Sequence, residues 1–311
     1  MIRIFKTIDN NLEVMDTYVK GCWIDLVSPT EDEILMLSET YEIPIEFLKD
    51  PLDLNERPRT ETEGTTTLIV LQTPRFYDED IQVQFVTMPL GIIITEHMII
   101  TVSLKHNDIV DKFISGRVKN LGTSKKSRFV LQLFYHTSLT FLDYLKRINA
   151  RSTSIENELH QSMKNEELIK LLNLEKSLVY FTTSLKANEL MMERLQRSIF
   201  MHLYPEDEDL FEDVIIENRQ AIEMANIYTN ILTGTMDAFA SVISNNLNMV
   251  MKFLTSVTIV LMLPTLVASI YGMNIDLPLQ HSAFAFEYIM ILSILVSIGG
   301  VMLFFRKNWF L

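Results

Sequence analysis

The sequence predicts an α+β protein: an N-terminal α/β domain, a long helical stalk and two C-terminal transmembrane helices. Three observations carry this reading. Short β-branched runs bounded by polar residues fill roughly the first 120 positions. From Ser127 helix formers dominate, and Gly and Pro are absent until Pro205. Near the C-terminus, Phe253 to Ile275 and Tyr288 to Phe305 carry no charged residue, and runs of roughly 18 or more apolar residues are long enough to cross a bilayer.

In chain order, Gly21 to Val27 reads as a strand. Thr30 is a candidate N-cap, with Glu33 at capping-box spacing, so an amphipathic helix is expected to about Tyr41. Thr65 to Gln72, Val83 to Pro89, Gly91 to Thr95 and Met98 to Val102 read as strands of one sheet. Leucines at 168, 171, 172, 174 and 178 fall at helical spacing, and two antiparallel helices are expected over about 127–162 and 166–203. Pro205 to Asp209 ends that pair. A further helix runs from about Asp209 to Tyr271, which at 1.5 Å per residue is roughly 90 Å long.

The resulting division is 1–125 for the α/β domain, 126–205 for the helix pair, 206–252 for the stalk, 253–275 for the first span, 276–287 for the connecting loop, 288–305 for the second span and 306–311 for a basic tail. A buried core helix is the competing reading of each apolar run. Two such runs close together favour a membrane hairpin. Lys252 precedes the first run, Arg306 and Lys307 follow the second, with Trp309 as an interfacial anchor, and the loop between holds no Lys or Arg. By the positive-inside rule both outer ends, and with them the N- and C-termini, face the cytoplasm. No signal-peptide run is evident at the N-terminus, in keeping with a multi-pass protein of the inner membrane.

Composition narrows the function. The 311 residues are 48% hydrophobic and 22% charged, enough apolar content for a sizeable core. A net charge of −13 argues against nucleic acid as a partner and suits either a plainly solvated acidic surface or one that attracts cations. Cys22, the only cysteine, supports neither an internal disulfide nor a thiolate cluster. There is no phosphate loop, no nucleophile elbow and no His-Glu-x-x-His pair, so an enzyme is not expected.

Stepping alternately by four and three residues from Asp237 gives Ser241, Ser244, Asn248, Met251, Thr255, Thr258, Met262, Thr265, Ser269 and Gly272. That is heptad spacing, and it puts these side chains on one helix face. The face is polar or small where lipid is expected, so it must meet protein or water. Close helix packing satisfies this, and so does a water-filled pore. Two spans cannot enclose a conduit, so a pore requires a homo-oligomer. The first span ends in Tyr271-Gly272-Met273-Asn274. This reads either as a helix C-cap or as a pore mouth where Gly272 lets the chain turn and Asn274 presents a carboxamide oxygen. Such oxygens suit Mg²⁺, which gives up its water reluctantly.

The Tyr271-Gly272-Met273-Asn274 tetrapeptide, with its GMN motif at the end of the first of two C-terminal spans, resembles the signature of the CorA family of Mg²⁺ channels. Trp23-Ile24-Asp25-Leu26 with Pro29, Arg57-Pro58-Arg59-Thr60-Glu61, Thr101-Val102-Ser103 and the stretch from Asp237 through Thr255 are similar to the family as well. The resemblance implies a homopentameric funnel in the cell membrane with the long helix lining the pore. It assigns Asn274 and the Gly272 carbonyl to an outer selectivity ring, Thr265, Asn248 and Asp237 to polar rings deeper in the pore, and Met262, Leu254 and Met251 to a hydrophobic gate.

The resemblance also implies sensing of cytoplasmic Mg²⁺ by Asp213, with Asp78, Glu79 and Asp80 as candidate partners from the N-terminal domain. A solvated, acidic helix start is the plainer reading of Glu206 to Asp213. The outer loop departs from the family's acidic pattern, offering only Asp276 and Glu287 to attract cations. His281 alone is weak grounds for a zinc site, since zinc favours several N or S ligands. Mg²⁺, transported and regulatory, is the expected ion. Co²⁺, Ni²⁺ or Zn²⁺, export instead of import, and a membrane-anchored sensor or scaffold that conducts nothing remain alternatives.

Overall fold

The computed structural model describes residues 1–9, 11–78, 82–162, 165–196, 205–275, 277–278, 282 and 284–306. It divides into two compact units, Met1–Gly234 and Thr235–Leu311.

The first unit is built on a seven-stranded mixed sheet of order β2-β1-β3-β7-β6-β5-β4. Its strands are β1 (Ile2–Ile8), β2 (Asn11–Met15), β3 (Trp23–Val27), β4 (Arg59–Glu63), β5 (Thr66–Phe76), β6 (Phe85–Ile94) and β7 (Ile99–Ser103). Only β3 and β7 run parallel; the other neighbours are antiparallel. Helices α1 (Glu31–Tyr41) and α2 (Ile45–Lys49) cover one face, and α3 (Asp108–Ile114), α4 (Lys126–Ser162) and α5 (Asn165–Gln196) cover the other. The alternation of side chains divides the core accordingly. Ile69, Leu71, Leu90 and Ile92 pack towards α3–α5, while Leu68, Val70, Ile93 and Val102 pack towards α1 and α2. A sheet covered on both faces buries its strands continuously, which is why Thr66 to Pro74 reads as an unbroken buried run.

Local chemistry sets the joints. At the start of α1, Thr30 Oγ1 accepts the Glu33 N–H at 3.2 Å and Glu33 Oε2 accepts the Thr30 N–H at 2.9 Å, the reciprocal cap expected from the sequence. Trp23, fully buried, packs its ring 5.1 Å from both Phe5 and Phe129 and donates its indole N–H to Thr101 Oγ1 at 2.9 Å. Thr101 in turn donates to Asp25 Oδ1 at 2.8 Å, and Arg3 closes the chain with an ion pair to Asp25 Oδ2 at 2.6 Å. Strand β4 pairs with β5 only as far as Val70, which leaves the backbone of Gln72 without a β4 partner. Asn188 of α5 replaces it, accepting the Gln72 N–H at 3.0 Å and donating to the Gln72 carbonyl at 2.8 Å.

Several boundaries differ from the sequence reading. The expected strands at Val83 to Pro89 and Gly91 to Thr95 form one strand, β6. Pro89 is tolerated because β7 pairs with β6 only from Gly91 onward, so β6 has one strand neighbour at the proline. Strands β1, β2 and β4 and helices α2 and α3 were not anticipated. The last long helix, α6 (Pro205–Tyr271), begins at the proline expected to precede it by several residues. Pro lacks the N–H that a first-turn residue leaves unpaired anyway, so it starts the helix without cost. Residues 197–204, assigned to the second helix of the pair, lie outside the described residues.

In the second unit, α6 continues to Tyr271 and α7 (Ala285–Arg306) follows. Both are long and apolar enough to cross a membrane, and only 6% of the most apolar window of each is buried within the chain. That low burial opposes the buried-core reading of these helices.

Candidate ion pathway and regulatory acids

The two faces of the first span differ in what they meet. At about 100° per residue, the stripe from Asp237 to Ser269 stays within roughly 70° of one direction. Val260, Leu263, Pro264, Val267 and Tyr271 lie on the opposite side. That opposite side is the one that packs on α7. A Cβ placed on Gly300 would stand 2.8 Å from Leu263 Cδ1, so the glycine lets the two helices approach closely. Pro264 and Tyr271 share a largely apolar cavity of about 540 Å³ with Phe286, Ile289 and Ser293 of α7. The stripe has no such cover. Its members Asp237, Asn248, Met251, Met262 and Thr265 are all exposed in the single chain, as is Leu254, one residue off the stripe; Leu254 and Met262 stand at 63%.

The hydroxyls on this face are already half used. Thr258 Oγ1 donates to the Leu254 carbonyl at 2.8 Å and Thr265 Oγ1 to the Leu261 carbonyl at 3.3 Å. A hydroxyl that has given its proton to the helix keeps its lone pairs as acceptors. Those acceptors match the outward O–H groups of a hydrated cation.

At its end the helix tightens. The Gly272 N–H bonds the Ala268 carbonyl at 2.9 Å, and the Met273 N–H bonds the Ile270 carbonyl at 3.2 Å, three residues back rather than four. Gly272 is not in the left-handed region, so the expectation that it frees the chain to turn is corrected. A Cβ there would lie 3.3 Å from the Ala268 carbonyl oxygen, a close approach within the same helical turn. Met273 and Asn274 are exposed in the bend that follows. The Tyr271 hydroxyl donates to the Pro278 carbonyl at 3.4 Å, tying the helix end to the loop beyond Asn274. Glu287 is exposed in the first turn of α7, while Asp276, His281, Lys307 and Trp309 lie outside the described residues.

Around the start of α6, Phe211 and Val214 point into the core, which turns Glu212 and Asp213 to solvent. Burial raises the pKa of Tyr135, and the carboxylates of Glu217 and Asp213 raise it further, so this face carries a negative field. Asp207 is withdrawn from it: 4% exposed, it accepts from Arg128 Nη1 at 3.0 Å and anchors the helix start. Asp78 is exposed beyond the end of β5, and Glu79 and Asp80 lie outside the described residues. Among the described residues, no group of three His, Cys, Asp or Glu side chains gathers closely enough to hold a metal. Among the described residues, therefore, no metal site is assembled around Asp213.

The model of the CorA-like Mg2+ transporter protein family matches residues 19–307. The chain belongs to the CorA family. It is 32% identical over 297 residues to a protein of Methanocaldococcus jannaschii named cobalt/magnesium transport protein CorA, covering 92% of this chain and 90% of that one. A Thermotoga maritima protein of the same name is 23% identical over 293 residues, covering 92% and 83%. The complete structure of the CorA magnesium transporter from Methanocaldococcus jannaschii superposes with a TM-score of 0.86 at 27% identity, over 99% of this chain and 98% of that one. CorA membership places this chain among the divalent-cation transporters, and its two apolar helices make it a membrane protein.

The sequence reading found the exposed stripe and the Gly272-Met273-Asn274 end. It missed the packing face of Val260 and Leu263 on Gly300, and it missed the Tyr271–Pro278 tie. The signal for the first lay in the paired glycines, Gly299 and Gly300, inside an apolar run.

Proposed function

We propose that this chain is one subunit of a homopentameric divalent-cation channel of the inner membrane, that Mg²⁺ is its principal ion, and that the membrane potential drives uptake. The observation that carries the proposal is the pair of faces on the first span. One is packed on α7, and the other is polar, exposed and directed away from it. Lipid solvates hydroxyls and carboxamides poorly, so the second face requires an axis shared with identical copies. In this assembly residues 1–252 form a cytoplasmic funnel, both termini are cytoplasmic, and the lipid bilayer surrounds the two spans.

Asn274 and the Gly272 carbonyl form the outer ring and hold the ion through its hydration shell. Thr265, Asn248 and Asp237 form inner polar rings. Met251, Leu254 and Met262 close the pore by excluding water. Asp276 and Glu287 draw cations to the mouth. Asp213 faces an acid of the neighbouring subunit, drawn from Asp78, Glu79 and Asp80. Bound Mg²⁺ bridges the two and holds the closed state, and its loss lets the acids repel. The relatives named cobalt/magnesium transport proteins support Co²⁺ as a second cargo.

The test is Mg²⁺ uptake into proteoliposomes with an inside-negative potential and a Mg²⁺-sensitive dye within. Saturable uptake is expected, lost in Asn274→Ala while the oligomer remains intact by size. Absence of uptake for Mg²⁺, Co²⁺, Ni²⁺ and Zn²⁺ alike would overturn the channel and leave an anchored sensor.

A further inference from the structure

The edge of the sheet beside α5 carries a groove that the transport reading does not use. It has a volume of about 560 Å³, within the range typical of small-molecule sites. One wall is the segment Asn55 to Thr60 leading into β4, and the other is the face of α5 from Tyr180 to Arg194. Three arginines line it, Arg57, Arg59 and Arg194. Arg59 is already committed, paired with Asp50 at 2.6 Å, with Glu61 at 3.3 Å and with Glu56. That contact also occupies Glu56, the acid among the lining residues. Arg57 and Arg194 are exposed and make no ion pair among the described residues. Two guanidinium groups on opposite walls, without ion pairs among the described residues, are suited to phosphate, which they grip with paired N–H donors.

Phosphate satisfies only donors, and the groove has a second demand. Gln72, 6% exposed, donates through Nε2 to the Glu56 carbonyl at 2.7 Å, and this fixes its carboxamide. Its Oε1 is buried without a partner, and so is Thr60 Oγ1 in the same lining. A buried acceptor without a donor costs roughly 1–3 kcal/mol, and a ligand N–H or O–H in the groove satisfies it once the lining side chains shift to uncover the oxygen. Tyr180, 47% exposed, and Leu190, 53% exposed, add an uncovered aromatic and an apolar surface beside these oxygens. Acceptors for the arginines, a donor for Gln72 and a flat ring for Tyr180 occur together in nucleotides.

We propose that this groove binds a nucleoside di- or triphosphate, its phosphates between Arg57 and Arg194 and its base against Tyr180. The site lies wholly within the first unit, so it stands or falls independently of the pore. The test is fluorescence anisotropy of a fluorescently labelled adenine nucleotide on the detergent-solubilised full chain, in excess Mg²⁺ so that chelation does not compete. Saturable binding below about 1 mM is expected, weakened at least about tenfold by Arg57→Glu or Arg194→Glu, with unlabelled nucleotide competing and inorganic phosphate failing to compete. Tyr180→Ala serves where a charge reversal disturbs folding, judged by oligomer size, and should weaken binding by about fivefold or more. No saturable binding, or binding that none of the three substitutions reduces, overturns the proposal. Equal competition by inorganic phosphate overturns the assignment to nucleotides.

Discussion

Arg3→Met tests how the sheet holds a buried charge. The Asp25 side chain is 1% exposed, and Arg3 supplies two of its donors, Nη2 at 2.6 Å and Nε at 3.2 Å, while Thr101 supplies the third. Burial raises the Asp25 pKa above its ordinary 3.8; the Arg3 and Thr101 hydrogen bonds oppose this incompletely, and Asp111 adds a further upward push. A carboxyl with a raised folded pKa holds its proton more tightly in the native state. Its contribution is therefore complete below the ordinary value and is lost as pH rises through the raised one. Removing Arg3 takes away a lowering influence and widens that window upward.

The variant escapes an unpaired buried carboxylate by protonating Asp25, which limits the loss. Carrying a proton from the ordinary 3.8 to pH 7 costs about 4 kcal/mol at 1.36 per unit, and to pH 5 about 1.6 kcal/mol. The first figure falls in the range of roughly 3–5 kcal/mol for breaking a buried pair. The assay is urea unfolding of the full chain in detergent, followed by the emission of Trp23, which is wholly buried and hydrogen-bonded to the same network. Because the raised Asp25 pKa of the parent already bears part of that cost, the expected loss is smaller than about 4 kcal/mol at pH 7 and shrinks as the pH falls to 5. Asp25→Asn in the Arg3→Met background should remove the pH dependence. A loss that does not change between pH 5 and 8 would refute this account of the network.

Gly91→Ala should destabilise the first unit by at least about 1–3 kcal/mol, since the new Cβ would collide with Cγ of the buried, rigid Pro51 ring; an unchanged urea midpoint would contradict it. Gly300→Ala should be milder, because the atom it meets is the mobile end of Leu263, whereas Gly300→Ile should force the two spans apart and reduce the yield of assembled oligomer by size-exclusion chromatography. Asp213→Lys should weaken the protection from limited proteolysis that Mg²⁺ confers in the proposed channel, and an identical Mg²⁺ dependence in variant and parent would argue against its sensor role.

The sequence by itself determined whatever is written in short-range pattern. The two apolar runs, the capping box at Thr30 and Glu33, the helix-rich middle of the chain and the heptad stripe on the first span all follow from residue spacing, because side-chain direction repeats every 3.6 residues in a helix. The resemblance centred on Gly272-Met273-Asn274 added the family. Tertiary structure decided what depends on partners distant in the chain. Strands β1, β2 and β4 lack the run of apolar residues that marks a strand covered on both faces, and they exist because neighbouring strands supply their hydrogen bonds. The bracket of Asn188 on Gln72 spans 116 residues, and local pattern does not encode it. The same holds for the stripe. Its spacing left close packing and a pore equally open, and only the seating of α7 against Val260 and Leu263 established which face of the helix is covered and which is exposed. A helix face is defined by its own sequence, but what that face meets is a property of the packed chain.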